Sequence, residues 1–527
     1  MAEKNPTFSK VCVEISQNLL LIQVPSKKKA KSEIKRICAK YSLERIPRNH
    51  EILSTVRGEE FMKLQSVLLK KPVKTASGVA VIALMPKPYT CPHGRCTYCP
   101  GGIEFNTPNS YTGKEPSTIN AIENQYDPKK QILTKLEKLL AYGHDATKLE
   151  LVIVGGTFLF MPKQYQENFI KSCYDALNGF DSPTLEASKK NNEHAVIRNV
   201  GFTVETKPDY CKKEHVDAML EFGITRVEIG VQSLHENVYK IVNRGHDLND
   251  VVESFQVAKD AGYKIVAHMM PGLPTMTPQD DIDDFMMLFS DSRFKPDMLK
   301  IYPSLVLQNT PLYRDYLEGK YKPYSDQELI TVLTEIKKNV PRWVRIMRVQ
   351  REITPEEIIA GPKLGNLRQI IHKNLQRQNL ACKCIRCREA GLSKSDATLD
   401  DLRLNRENYV SSGGSEVFLS FDDSDDRIYG FLRLRNSSDK AHRKEITDKT
   451  CIVRELHVYG KSLKIGNHEK DSIQHSGLGK KLMSEAEKIS KEEFDAKKIL
   501  VISAVGTRPY YHKLGYSLFD PYMAKEL

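Results

Sequence analysis

Six short apolar segments, each followed by a polar segment with helical periodicity, constrain the fold of this chain most strongly. The apolar segments are rich in β-branched residues and span residues 79–84, 149–154, 200–205, 226–231, 264–269 and 297–302. This alternation predicts an α/β fold with a parallel sheet. The clearest helical segment is 118–143. The spacing favours a partial (β/α)6 barrel, although a doubly wound sheet stays open at this stage.

Glycine-rich or polar residues follow five of the six predicted strands. These strand ends are a cysteine-rich loop at 91–102, GGTF at 155–158, ETKPD at 205–209, GVQS at 230–233 and HMMPGLP at 268–274. Ligands of parallel α/β folds collect at the carboxyl ends of the strands. The pattern therefore predicts one active site at that edge of the sheet.

Three cysteines in the first loop, Cys91, Cys96 and Cys99, have the spacing C-x4-C-x2-C. Three thiolates suit a [4Fe-4S] cluster whose fourth iron is left for a small-molecule ligand. The alternative is a zinc site that uses His93 as its fourth ligand. The cluster is favoured because zinc sites of this type usually hold small loop-rich modules together, whereas this loop lies at the predicted active-site edge.

The loop resembles the radical S-adenosylmethionine (SAM) superfamily, with a tyrosine before its last cysteine and two glycines after it. GGTF, ETKPD and GVQS resemble the SAM-contacting strand ends of that superfamily. The resemblance implies a [4Fe-4S] cluster and SAM as cofactors. It implies the following SAM-contacting residues: Gly155 and Gly156 at the methionine amino group, and Glu205, Lys207 and Gln232 in the SAM pocket. The cysteine spacing is one residue longer than the commoner pattern, and Thr157 replaces a frequent acidic residue.

A second cysteine trio, Cys382, Cys384 and Cys387, follows a basic segment and belongs to no strand end. This position predicts a closed zinc site that joins two domains. The fourth ligand is not evident from the sequence. His372 is near enough, but a lone histidine on a helix is more often a surface or core residue.

The C-terminal part of the chain has a different α/β pattern. A strand containing RELHVYG is followed by the glycine-rich turn QHSGLG, a helix, the strand ILVISA and the segment GTRPYYHKLGY. This order resembles the GNAT acetyltransferases. The resemblance implies that Glu455, Leu456, His457 and Val458 bind the pantetheine of acetyl-CoA, that Leu478, Gly479 and Lys480 bind its pyrophosphate, and that Tyr511 protonates the leaving thiolate. For Tyr510 and Tyr511 the alternative is core packing.

The chain carries a net charge of +12, and residues 26–75 hold fourteen Lys/Arg against five Asp/Glu. A solvated helical face is the simple interpretation, but so large a local excess favours a polyanionic partner. The candidate RNA-binding residues are Lys27, Lys28, Lys29, Lys31, Lys35 and Arg36.

A radical SAM barrel followed by a GNAT domain resembles the family of Elongator catalytic subunits, the tRNA wobble-uridine acetyltransferases. The resemblance implies a basic tRNA-binding segment at 1–78, the barrel at 79–362, a basic zinc-binding joint at 363–395 and the GNAT domain at 396–527. It implies tRNA and acetyl-CoA as partners and leaves open accessory subunits or a homodimer. Lys148 matches a lysine of the family that contacts acetyl-CoA.

The resemblance also implies a reaction. Reductive cleavage of SAM gives a 5′-deoxyadenosyl radical, which takes hydrogen from the methyl of acetyl-CoA; the acetyl carbon adds to carbon 5 of uridine, and hydrolysis leaves carboxymethyluridine. Two alternatives stay open: a protein lysine acetyltransferase in which the barrel is a scaffold, and a non-catalytic tRNA-binding scaffold. The sequence lacks an 18-residue apolar stretch and an apolar N-terminal signal, so we expect a soluble cytoplasmic protein.

Overall fold

The computed structural model describes residues 6–22, 26–43, 45–68, 78–142, 144–392, 398–459 and 477–527. The N-terminal unit is a small helical cluster around an apolar core that includes Val11, Ile15, Ile34 and Ile37. Its helices are α1 (Pro6–Leu21), α2 (Lys27–Lys40), α3 (Asn49–Leu53) and α4 (Gly58–Leu68). None of the helices among the described residues is long and apolar enough to cross a membrane.

A parallel sheet of seven strands forms the central unit, with the order β1-β2-β3-β4-β5-β6-β8. Its strands are β1 (Ala80–Leu84), β2 (Lys148–Ile153), β3 (Arg198–Thr206), β4 (Arg226–Gln232), β5 (Lys264–Met269), β6 (Met298–Ile301) and β8 (Arg345–Arg348). β7 (Val306–Leu307) and β9 (Ile358–Ala360) form a separate ribbon. Because the order never reverses, the sheet is not doubly wound. Residues from its first and last strands line one cavity, so the sheet is curled into an open half-barrel.

Twelve helices among the described residues follow or alternate with the strands of this unit and pack around the half-barrel. They are α5 (Pro116–Glu123), α6 (Pro128–Ala141), α7 (Lys163–Asn178), α8 (Leu185–Asn192), α9 (Lys213–Glu221), α10 (Glu236–Ile241), α11 (Leu248–Asp260), α12 (Pro278–Ser290), α13 (Pro311–Leu317), α14 (Asp326–Asn339), α15 (Leu367–Arg377) and α16 (Ile385–Arg388). Alternate strand residues such as Leu149 and Leu151 pack in the outer core, whereas Glu150 and Val152 face the interior. This alternation is the normal consequence of strand geometry.

Two details of the predicted barrel were wrong. The six predicted strands are present, but β8 adds a seventh; it is only four residues long and contains two arginines, so it lacks the apolar signature of the others. The predicted helix at 118–143 is two helices, α5 and α6. Gln125 and Tyr126 adopt positive φ values of 54° and 59°, and Pro128 begins α6 behind an Asp127 N-cap. A proline fits the first turn of a helix but breaks its interior.

The C-terminal unit is a mixed sheet with the order β10-β11-β12-β13-β14-β16-β15. Its elements are β10 (Arg403–Ser411), β11 (Gly414–Asp422), β12 (Ile428–Asn436), β13 (Thr450–Val458), α17 (Leu478–Glu492), β14 (Lys498–Val501), α18 (Arg508–His512), β15 (Ser517–Phe519) and β16 (Tyr522–Glu526). β13 and β14 are parallel, but their pairing ends at Val453 and Val501, and β13 continues beyond it. The two strands therefore diverge and leave a crevice between them.

Charged side chains are buried where the C-terminal sheet meets the half-barrel. Arg454 of β13 lies 2.7 Å from Asp297, the residue before β6, and 2.8 Å from Glu416 of β11. Arg435 of β12 lies 2.6 Å from Asp260 at the end of α11. These five side chains are at most 1% exposed. The network fixes the diverging strands against the amino-terminal edge of the half-barrel.

Candidate active site

The first cysteine trio lies in a loop directly after β1, at the carboxyl edge of the half-barrel. Its thiol groups are surrounded by donors: Arg244 Nη1 is 3.7 Å from Cys96 Sγ, and the Ser110 N–H donates to Cys99 Sγ at 3.2 Å. Burial and the neighbouring thiols raise the pKa of Cys91 to about 12. Two buried thiols and a half-buried one cannot all ionise without a compensating positive group. Thiols approached by a guanidinium and a backbone N–H fit a thiolate-bound iron–sulfur cluster.

His93 contacts both this trio and Lys207 through its two ring nitrogens. Its Nδ1 lies 3.0 Å from Lys207 Nζ, and its Nε2 lies 3.1 Å from Cys96 Sγ. Burial, followed by the Lys207 charge, lowers the pKa of His93 to about 3, so the ring is neutral. An ammonium donates to Nδ1, which leaves Nε2 to donate to the sulfur. This arrangement favours a cluster with His93 beside it over a zinc site that uses His93 as a ligand.

Four of the five predicted SAM-pocket residues line the same cavity as the cysteines. The cavity has a volume of about 540 Å³ and is lined by Cys91, Cys96, Cys99, Gly156, Glu205, Lys207 and Gln232, among other residues. Gly155 lies beside it and donates its N–H to Glu205 Oε2 at 3.3 Å. The structure thus brings together residues that are more than 140 positions apart in the sequence. The predicted convergence of strand ends is confirmed as geometry, and SAM binding stays a prediction.

The two glycines after β2 are required by the backbone. Gly155 and Gly156 have φ values of 114° and 107°, which side chains rarely adopt. A Cβ on Gly155 would lie 2.9 Å from Pro108 Cβ, and one on Gly156 would lie 3.2 Å from Asn109 Cβ. The absence of side chains lets the loop after β2 pack closely against Pro108 and Asn109, in the segment that follows the cysteine-rich loop.

A buried polar cluster inside the half-barrel was not predicted from the sequence. His268 Nε2 is 2.8 Å from Glu228 Oε2, Lys300 forms an ion pair with the same carboxylate, and Lys300 Nζ is 3.8 Å from Glu205 Oε1. Burial alone would raise the pKa of Glu228, but Lys300 and His268 hold it well below its usual range. The available signal was charged residues at alternate positions of otherwise apolar strands, which marks a polar interior face.

The second cysteine trio is compact. Its sulfur atoms all lie within 4.8 Å of one another, and those of Cys384 and Cys387 are 3.5 Å apart. Tetrahedral zinc–thiolate bonds of about 2.3 Å put sulfurs about 3.8 Å apart. His372 Nε2 lies 3.3 Å from Cys387 Sγ, and burial, then Lys337, lowers its pKa to about 4. Three thiols and a neutral imidazole fit zinc, with His372 as the nearest candidate for the fourth ligand.

The crevice between β13 and β14 contains most of the residues predicted to meet the pantetheine. A cavity of about 130 Å³ is lined by Glu455, Leu456 and His457 of β13, by Tyr511 of α18 and by Gly201, Thr203 and Lys264 of the half-barrel, among others. Val458 lies farther along β13, at the end of the strand. The crevice is therefore walled on one side by the half-barrel, which the sequence did not predict.

The tyrosine pair has two different environments. Tyr511 is 7% exposed and lines the crevice, whereas Tyr510 is 41% exposed. A Cβ added to Gly479 would lie 2.6 Å from Tyr510 Oη, so Tyr510 packs on the start of α17. Burial raises the pKa of Tyr511 well above its usual value. A buried, protonated phenol in the crevice can serve as a proton donor.

The remaining predicted residues line neither of the two cavities. Leu478, Gly479 and Lys480 form the first turn of α17, after Gly477, with Lys480 exposed; residues 474–476 of the predicted turn lie outside the described residues. Lys148 begins β2 and shares the interior face with Glu150; burial, then Arg198, lowers its pKa. The six candidate RNA-binding side chains of α2 are exposed, although Arg36 pairs with Glu33.

Comparison with known proteins matches these observations. Residues 85–288 match the Radical SAM superfamily, residues 296–377 the Radical SAM C-terminal domain, and residues 8–76 the ELP3 N-terminal domain. A tRNA uridine(34) acetyltransferase of Methanocaldococcus infernus is 45% identical over 490 residues, covering 91% of this chain and 92% of that protein. Elongator complex protein 3 of Homo sapiens is 42% identical, covering 93% and 92%.

One solved structure is similar over most of the chain. It is the archaeal Methanocaldococcus infernus Elp3 with an N-terminal deletion, with a TM-score of 0.76 and 41% identity, covering 86% of this chain and all of that one. The predicted radical SAM half-barrel is thereby confirmed.

Proposed function

Because the chain belongs to the Elongator complex protein 3 family, which includes tRNA uridine(34) acetyltransferases, we propose that it builds a carboxymethyl group on carbon 5 of the wobble uridine of tRNA. The chain is an enzyme of the radical SAM superfamily. The observation that carries the proposal is the cavity at the carboxyl edge of the half-barrel. There the cysteine trio meets Glu205, Lys207 and Gln232.

Cys91, Cys96 and Cys99 would hold a [4Fe-4S] cluster, which with SAM and a reductant supplies a 5′-deoxyadenosyl radical. Two cationic side chains lie beside the cysteine trio. Arg244 approaches the sulfur of Cys96, and Lys207 is held by an ion pair with Asp209 Oδ2 at 3.0 Å. Buried cations near thiolates offset negative charge in a site that excludes water. Carbon 5 of uridine is a poor partner for ordinary acyl transfer, which is why a carbon-centred reaction fits an acetyl donor here.

The C-terminal unit would bind acetyl-CoA in the manner of GNAT enzymes. The end of β13 is not paired with β14 and presents backbone groups along the crevice. α17 begins beside it, and the backbone N–H groups of its first turn suit a pyrophosphate. Tyr511 would protonate the leaving thiolate, and Tyr510 would pack against the first turn of α17. Lys148 would contact acetyl-CoA from the amino-terminal edge of the half-barrel.

The N-terminal helices would contribute to tRNA binding, because α2 exposes Lys27, Lys28, Lys29, Lys31, Lys35 and Arg36 while its apolar residues face the helical core. Phosphate contacts from such a face give affinity without sequence preference. Recognition of uridine itself would require an unstacked base at the mouth of the half-barrel. Cys382, Cys384 and Cys387 would hold zinc at the joint between the two larger units.

Anaerobic reconstitution tests this proposal. The protein is supplied with iron, sulfide, tRNA, SAM, dithionite and acetyl-CoA, and both 5′-deoxyadenosine and carboxymethyluridine are measured. Both products should form, and both should be lost when Cys91, Cys96 and Cys99 are replaced by alanine. Replacing the scattered, buried Cys173 is the matched control and should leave both products and the iron content intact.

Two other results would overturn the proposal in different ways. Acetyl transfer to lysines without reductant, surviving the triple cysteine replacement, would identify a protein acetyltransferase. Absence of bound iron after reconstitution would identify a non-catalytic scaffold.

Zinc that is retained in the first triple variant and lost when Cys382, Cys384 and Cys387 are replaced would assign the second trio.

A further inference from the structure

The large cavity and the crevice share a boundary inside the protein. Glu150 of β2 and Arg226 of β4 line both of them. Their side chains form an ion pair across the interior of the half-barrel, with Thr203 Oγ1 3.5 Å from Glu150 Oε1. The ion pair therefore forms a partition between the cysteine-lined cavity above and the crevice of the C-terminal sheet below.

The partition lies far from the cysteines. Arg226 begins β4 and Gln232 ends it, so the six residue steps between them span about 20 Å at about 3.3 Å per residue. Gln232 lines the cavity together with the cysteines, whereas Arg226 also lines the crevice with Tyr511. A group held in the crevice cannot react with a group held at the cysteines unless one of them travels along the interior.

The interior between these ends is polar and incompletely paired. Barrel interiors are normally filled by branched apolar side chains. Here Arg226 Nε and Glu228 Oε1 are buried and have no hydrogen-bond partner among the described residues, and Gln232 Oε1 is in the same state at the upper end. Buried polar atoms in native proteins are almost always paired with protein, water or ligand. These three atoms are distributed along β4 from one end to the other, so a polar ligand that passes along the interior can pair with each of them in turn.

We propose that the interior of the half-barrel is the passage through which the acetyl group of acetyl-CoA reaches the radical site, with the Glu150–Arg226 ion pair as its gate. This inference rests on the proposed function. It adds that the two substrates enter from opposite edges of the half-barrel: uridine at the edge with the cysteines, and the acetyl group at the other edge. When the pair separates, the guanidinium of Arg226 is placed to donate to the thioester carbonyl.

The pair is suited to opening. Its side chains are 11% and 20% exposed, unlike the fully buried ion pairs beside it at the joint between the two units. A partly hydrated pair costs less to separate than one sealed from water. Gly201 keeps space beside it, because a Cβ there would lie 3.2 Å from Glu150 Cγ. A side chain at position 201 would therefore restrict the movement of the carboxylate.

Acetyl-CoA deuterated at its methyl group tests the passage in the reconstituted enzyme. Removal of hydrogen from that methyl breaks a carbon–deuterium bond and forms one at the 5′ carbon, so deuterium in 5′-deoxyadenosine reports arrival of the acetyl group. Val152→Phe, at an interior position two residues after Glu150 that lines the large cavity and not the crevice, should block the passage and lower this deuterium about a hundredfold. It should leave acetyl-CoA binding, measured by titration calorimetry, and SAM cleavage within about twofold of the unmodified enzyme. Val332→Phe, at a buried valine of α14 that lines neither cavity, is the matched control for packing strain.

Deuterium transfer by Val152→Phe at the unmodified rate would overturn the passage. If the unmodified enzyme transfers no deuterium, the proposed function itself fails, and the passage fails with it. Glu150→Gln is a second test that does not add bulk: with the charge removed, the gate should open more readily, and deuterium transfer without tRNA should rise severalfold. An unchanged rate in Glu150→Gln would refute the gate.

Discussion

Replacing Arg454 by methionine tests how firmly the C-terminal sheet is held on the half-barrel. Arg454 is fully buried and forms two hydrogen bonds with Asp297, at 2.7 and 2.8 Å, and others with Glu416. Methionine keeps most of the volume and removes the charge. Both carboxylates then stay in the interior with one partner fewer.

The expected loss follows from what remains. Removing one member of a buried ion pair costs about 3–5 kcal/mol, because the other charge stays buried without compensation. Arg433 still lies 3.5 Å from Asp297, and Arg435 lies 2.9 Å from Glu416, so neither carboxylate is left alone. We therefore expect the lower end of the range, about 3 kcal/mol. The loss should grow as the remaining arginines are removed.

The only tryptophan of the chain reports on this joint. Trp343 of the half-barrel unit stacks on Tyr409 of β10 at a centroid distance of 4.3 Å, so its fluorescence changes when the two units separate. Urea unfolding followed by this signal, after refolding has been checked, gives the change in free energy. Arg427→Met is the control: the Arg427 side chain is 27% exposed, so losing its ion pairs should destabilise the protein much less than losing those of Arg454. Equal losses in the two variants would refute the reasoning.

Three further predictions follow from individual side chains. Tyr511→Phe should slow release of coenzyme A about a hundredfold and Tyr510→Phe only slightly, measured as free thiol, because only Tyr511 lines the crevice; equal effects would contradict the assignment. Burial raises the pKa of Asp281 to about 7. The protonated carboxyl therefore contributes stability that is fully present below about pH 4 and is lost as the pH rises through 7. Asp281→Asn should raise the unfolding free energy at pH 8 more than at pH 5, and a lower unfolding free energy at pH 8 would refute this. Replacing exposed Lys28 and Lys31 by alanine should lower the salt dependence of tRNA binding by about 1–2 in logarithmic slope, whereas an unchanged slope would exclude α2 from the contact.

The strands of the half-barrel and the gathering of their ends were predictable because both depend on local patterns. β-branched apolar runs predict the strands, and parallel strands bring their carboxyl ends together. β8 was not predicted because it forms a strand by pairing with the neighbouring strand β6, and its own four residues lack an apolar strand pattern. The division of helix 118–143 depended on backbone conformations at Gln125 and Tyr126 that hydrophobic periodicity does not express.

The polar interior and the buried joint could not be predicted for a different reason. Glu228 and Lys300 lie on separate strands, and their pairing is visible only once the sheet register is known. Arg454 and Asp297 are 157 positions apart and belong to different units. A charged residue in a strand signals an exception to apolar packing, but nothing in one sequence names its partner.

Acetyl-CoA that carries carbon-13 at both acetyl carbons tests whether the protein builds the acetyl group into uridine. After anaerobic reaction with tRNA, SAM and reductant, the tRNA is digested to nucleosides and analysed by mass spectrometry. We predict a carboxymethylated wobble uridine that contains both labelled carbons, formed together with 5′-deoxyadenosine. Labelled acetyl groups on protein lysines, with unmodified uridine and an intact iron–sulfur cluster, would contradict it.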